Sequence, residues 1–144
     1  MNNQQPWLAT LLRARSARED IAKQQLGAAR RAEQHAAVRA RAEAERVAEL
    51  SDHSPLSATA FVDRAMNHQA AAASLFQANI AVDSARESSA ASLDNLVEAA
   101  RARRTAEELN ERHASVLRNL AKLAGERDLD EIAGRRHMMN GDRS

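Results

Sequence analysis

The chain has no cysteine and no tyrosine, and its 144 residues include one tryptophan, two phenylalanines, four glycines and two prolines. Each scarcity excludes something. Without cysteine no disulfide can staple the fold, and the usage fits a reducing compartment. With aromatics at 2%, the large residues that usually fill a compact core are missing. Few Gly and Pro mean few helix breakers. Charge of one sign is also lacking: 21 Lys and Arg face 20 Asp and Glu, for a net charge of +1. That balance gives no electrostatic reason to expect nucleic acid or an anionic membrane as the main partner. No apolar run approaches the ~20 residues of a membrane span. The opening MNNQQPWLATLLRARS has neither the basic n-region nor the apolar h-region of a secretory signal. The expectation is a soluble, cytoplasmic protein with no direct membrane insertion.

What is present is alanine, with glutamate, arginine, leucine and glutamine. All favour helix, and alanine is the best former while burying little area per residue. Such a composition reads as long helices or coiled coil. The strongest interruption is LSDHSPLSA, residues 50–58. There Ser51 and Asp52 suit a turn, Ser54 suits an N-cap and Pro55 a first helical position. Pro6 opens the first helical stretch, and Gly134 and Gly141 mark the stop. The sequence therefore predicts helix 1 over 6–50, a turn at 51–56, helix 2 over 57–133 and a flexible tail at 134–144. The weakest helical stretch is DSARESSAAS, 83–92, a candidate kink.

Both helices carry apolar residues at mixed three- and four-residue steps, and Ala106, Leu109, His113, Val116, Leu120 and Leu123 form a heptad line. Pairs such as Glu19–Lys23, Glu108–Arg112 and Glu131–Arg135 lace the polar faces. A short connection between long helices implies an antiparallel hairpin. A tight turn near residue 53 would set Val47 against Phe61, Leu26 against Ile80, and Leu11 and Leu12 against Leu96 and Val97. Helix 1 then ends opposite residue 100, and about 33 residues of helix 2 continue beyond it for ~50 Å. That overhang carries Leu109, Val116, Leu120, Leu123, Leu129 and Ile132 with nothing in the chain to cover them, and an uncovered apolar stripe asks for a partner. The fold class is all-α: a two-helix antiparallel coiled-coil hairpin with an overhanging C-terminal helix.

Chemistry is hard to place on such a chain. Asp128, Asp130 and Glu131 lack the alternate spacing and the glycine of a calcium loop, and a solitary helix end offers no pocket to shift a carboxyl pKa. They read as a solvated face beside Leu129 and Ile132, with Arg135 and Arg136 in the last turn complementing the helix dipole. The histidines at 35, 53, 68, 113 and 137 have no metal-ligand spacing. No phosphate-binding or nucleophile-elbow string occurs. The arginine-rich pieces at 13–18, 30–31 and 101–104 are interleaved with acids or lack aromatic stacking partners, and read as solvated faces. Trp7 reads as packing at the open end of the hairpin. The expectation is a protein that is not an enzyme and takes no cofactor or metal.

An all-helical chain that opens with LATLLRARSAREDIA and closes with RDLDEIAGRR resembles the FliJ/YscO family of type III export proteins, flagellar and injectisome. The match rests on Leu11, Leu12 and Arg15 at the opening and on Leu129–Ala133 at the close. The resemblance implies a stalk-like coiled coil whose end carrying both termini enters a hexameric export ATPase, promotes its assembly and activity, and links it to the export gate membrane protein. Some members also handle export chaperones. Carried over, Leu109, Val116, Leu120, Leu123, Leu129 and Ile132, assisted by Arg13 and Arg15, would face the ring or a chaperone. Val47, Leu50 and Phe61 would face the gate. The protein would sit in the cytoplasm at the inner-membrane export apparatus, monomeric or weakly self-associating alone. High Ala, low Lys and Gln, and a short helix 1 depart from the family pattern. The alternative is a coiled-coil scaffold or export chaperone that dimerises through the 106–132 stripe. A basic helical nucleic-acid binder is a third class.

Overall fold

The computed structural model describes residues 6–51 and 57–141. It is an all-α two-helix hairpin, with α1 at Pro6–Leu50 (45 residues) and α2 at Ala58–Gly141 (84 residues). No strand occurs among the described residues. Local chemistry sets the described ends. Pro6 occupies the first helical position, where its missing N–H is no loss. At the other end of α1, the Ser51 N–H is shared between the carbonyls of Val47 and Ala48 at 3.1 and 3.2 Å, while its hydroxyl donates to Val47 O at 2.8 Å. Ser57 caps α2: its hydroxyl accepts the Ala60 N–H at 3.3 Å. The expected roles of Asp52, Ser54 and Pro55, and most of the expected turn, fall on residues outside those described.

α2 is one helix through 83–92, the candidate kink. It also passes Gly134 and runs to Gly141, beyond the expected stop at 133. No glycine has a positive φ, so Gly134 does not adopt the left-handed conformation of a terminating cap. A single helical glycine costs only about 1 kcal/mol relative to alanine, and the residues after it carry the helix on. Arg135 and Arg136 are consequently not in the last turn, which holds no basic residue.

The chain divides into two compact units, one of Ser16–Arg101 and one of Met1–Arg15 with Ala102–Ser144. In the first, the least exposed positions recur at alternating steps of three and four. On α1 they are Glu19, Ala22, Leu26, Ala29, Glu33, Ala36, Ala40, Glu43, Val47 and Leu50. On α2 they are Arg64, His68, Ala71, Leu75, Ala78, Val82, Ala85, Ser89, Ser92, Leu96 and Ala99. This is a heptad seam in which alanine is the commonest residue. Many large apolar residues lie off it: Ile21 is 53% exposed, Val38 56%, Phe76 64% and Ile80 48%.

The pairing expected from a tight turn is therefore corrected, because Ile80 faces outward and Phe61 is uncovered. One hydrogen bond gives the reason. Ser51 Oγ lies 3.2 Å from His68 Nε2, and because its single proton goes to Val47 O, the imidazole N–H must be the donor. The end of α1 thus sits beside His68, roughly 15 Å along α2 from its start. Phe61 is in line with the seam but lies before the point where α1 begins to cover it.

Carboxylates interrupt the seam. Glu19 is buried, with Lys23 Nζ 3.5 Å away. Glu43 has a buried Oε2 with no hydrogen-bond partner, which costs free energy that no interaction returns.

Two predictions follow from the seam, both read by urea titration of helical circular dichroism. Leu26→Ala should destabilise by roughly 2–4 kcal/mol, whereas Ile21→Ala, off the seam, should change stability by less than about 0.5 kcal/mol. Equal losses at the two positions would contradict the register. Glu43→Leu should stabilise by about 1–2 kcal/mol through loss of the unsatisfied oxygen, and a loss of stability there would show that the carboxylate is well solvated.

Candidate partner-binding helix end

The second unit contains the start of α1 and the C-terminal part of α2. Leu8 is buried. Together with Leu12 and Arg13 it lines a shallow groove of about 280 Å³ shared with Asn110, His113, Ala114 and Leu117 of α2. Within this unit the less exposed positions include Arg103, Ala106, His113 and Leu117 on α2 and Leu8, Leu12 and Arg15 on α1. The start of α1 therefore lies against residues 110–117, not ahead of residue 100.

Burial ends at Leu117, and every residue from 118 to 141 is exposed. The uncovered end is thus shorter than the sequence pairing implied: roughly 24 residues, or ~36 Å of helix. Among the expected partner-facing residues, Leu109 is 43% exposed, Val116 56%, Leu120 57%, Leu123 54%, Leu129 67% and Ile132 51%. Exposed side chains at all six fit a surface awaiting a partner.

They do not form one stripe, however. At about 100° of rotation per residue, Leu109, Val116, Leu120 and Leu123 share an arc of roughly 60°. The six-residue step from Leu123 to Leu129 carries the chain round the helix, so Leu129 and Ile132 lie on the opposite side. Met139, 74% exposed, joins them. The helix end is apolar on two opposed faces, with charged residues between.

The remaining expected residues are distributed as follows. Arg13 is at the exposed rim of the groove, and Arg15 is half-buried. Val47 and Leu50 are half-buried in the seam of the other unit, where Phe61 is 66% exposed. Trp7 is 53% exposed on the first turn of α1. Asp128, Asp130 and Glu131 are exposed, and Glu131 pairs with Arg135. The described residues hold no group of three or more His, Cys, Asp or Glu placed to bind a metal ion, and none of their helices is long and apolar enough to cross a membrane.

One exposed apolar set escaped the sequence reading. Val62, Met66, Phe76 and Ile80 are 54%, 65%, 64% and 48% exposed on the side of α2 away from its seam. Ile80 is the residue that the tight-turn pairing sets against Leu26. The available signal was charge: from Ala65 to Val82 the sequence has no Asp, Glu, Lys or Arg, in a chain that is 28% charged.

Comparisons of the chain with family models, with curated proteins and with solved structures return no match.

Because residues 118–141 bury nothing, ending the chain after Leu117 should leave the hairpin intact. The melting temperature should move by less than about 3 °C, the shift that ~1 kcal/mol gives a chain of this size. A larger drop would mean that the helix end is covered in solution.

Proposed function

We propose that this chain is a non-enzymatic stalk and coupling protein of a type III protein export apparatus. It binds and activates a hexameric export ATPase, links it to the export gate membrane protein, and works in the cytoplasm beside the inner membrane. The observation that carries this reading is the uncovered end of α2, apolar on opposed faces. A partner that touches one side of a helix satisfies one stripe. Two opposed stripes are satisfied together by a partner that surrounds the helix, as the bore of a ring does. The openings and closings of the sequence that resemble the FliJ/YscO family support the same partner. A scaffold dimerising through 106–132 is less well supported, since a single docked helix leaves Leu129 and Ile132 or Leu120 and Leu123 in water.

The test is ATP hydrolysis by the export ATPase encoded with this chain, measured with and without it. The wild type is expected to stimulate turnover. Leu120→Asp with Leu123→Asp should abolish stimulation, and so should Leu129→Asp with Ile132→Asp on the other face. An active ATPase that neither binds nor responds to the wild type would overturn the proposal. Loss confined to one face would replace the surrounding ring with a one-sided dock.

A further inference from the structure

The outward stripe of α2 in the Ser16–Arg101 unit is a separate surface, and its assignment does not rest on the export reading. We infer that it pairs two copies of this chain, antiparallel, through Val62, Met66, Gln69, Ala73, Phe76 and Ile80. All six are exposed, and they recur at alternating steps of four and three, which keeps them on one line facing away from the intramolecular seam.

The occupant follows from self-complementarity. A two-fold dimer needs a patch that matches its own reverse. Running this line against itself sets Val62 against Ile80, Met66 against Phe76 and Gln69 against Ala73. Every large apolar residue then meets another, and the small alanine accommodates the glutamine near the axis. Neighbouring registers are worse. Sliding one copy by a turn opposes Met66 to Ile80 but brings Asp63 of one copy opposite Asp83 of the other. Sliding the other way spends Ile80 on Ala58.

Charge defines the extent of the patch. Ala65–Val82 contains no Asp, Glu, Lys or Arg, so two copies approach without like-charge repulsion. Beyond it the same line continues through Asp83, Glu87 and Asp94, all exposed, and these charges end the apolar patch on that side. A six-position stripe on one helix buries less than the roughly 800 Å² per partner of a standard interface, so the dimer is expected to be reversible and concentration-dependent.

Sedimentation equilibrium of the full chain tests this. The wild type should reach the mass of a dimer as concentration rises. Phe76→Glu, which places a charge at the interface twice over, should weaken association by about thirtyfold or more. Ile80→Lys should act alike, and helical circular dichroism should confirm that both exposed positions leave the hairpin folded. Val38→Glu on α1, and Leu120→Asp with Leu123→Asp, should dimerise as wild type does. Register is read with introduced cysteines, since the chain has none. In a mixture of Gln69→Cys and Ala73→Cys chains, the mixed disulfide should exceed both symmetric ones. A wild type that stays monomeric to about 1 mM, where any dimer with a sub-millimolar Kd would be populated, overturns the inference. So does a dimer lost in the Leu120/Leu123 variant but kept in Phe76→Glu, or a predominance of symmetric disulfides.

Discussion

In the Ser16–Arg101 unit the two helices meet along a line drawn at alternating three- and four-residue steps, and alanine and serine hold about half of that line. Alanine at a seam lets helix axes approach toward the lower end of the ~8–10 Å range. It also buries little apolar area per turn. The seam therefore draws its stability from its length and regularity, with Leu26, Val47, Leu50, Leu75, Val82 and Leu96 as its large apolar members. Regularity has a consequence for every other residue. A large apolar side chain enters the contact only if it falls on the line, and Ile21, Val38, Phe76 and Ile80 do not. The same constraint that closes the hairpin leaves much of its bulkiest apolar surface outside.

The helices, their division near residue 51 and their antiparallel course were legible because composition alone carries them: helix formers throughout, breakers at one place. Register was not legible. Matching large residues across a tight turn produced plausible pairs, Val47 with Phe61 and Leu26 with Ile80, that the structure does not contain. Size is a poor guide to a seam in which alanine is the commonest residue, since an alanine contact leaves no distinctive mark in the sequence. The position of Ser51 beside His68 also depends on how the connection is laid, which turn-forming residue types do not specify. Gly134 misled for a related reason. A glycine marks a helix end only where the backbone needs a left-handed residue, and here it adopts none.

At the C-terminal end of α2, exposure was legible and facing was not. Leu109, Val116, Leu120 and Leu123 follow one heptad line, and adding Leu129 and Ile132 to the list looks like a continuation. A six-residue gap breaks the phase and turns the later pair to the other side of the helix. The acidic group at Asp128, Asp130 and Glu131 is exposed. Its plain reading as solvated charge survives, with the Glu131–Arg135 pair among the contacts that hold it in water.

The two outward apolar surfaces differ in chemistry, and the difference bears on how each can be used. Along the helix with Leu120, Leu123, Leu129 and Ile132 stand Lys122, Glu126, Arg127, Asp128, Asp130, Glu131, Arg135 and Arg136, exposed charges of both signs. A partner for that end must match a charge pattern as well as fill apolar space, which favours selectivity and makes association sensitive to salt. The stripe from Val62 to Ile80 meets charge only near its ends, at Asp63, Arg64 and Asp83. Contact along its middle is governed by apolar area and spacing, so salt has little to screen there, and a surface of the same spacing fits it best. A chain that separates a charge-framed apolar end from an apolar stripe charged only near its ends can hold two kinds of contact at once without either competing for the other's partner.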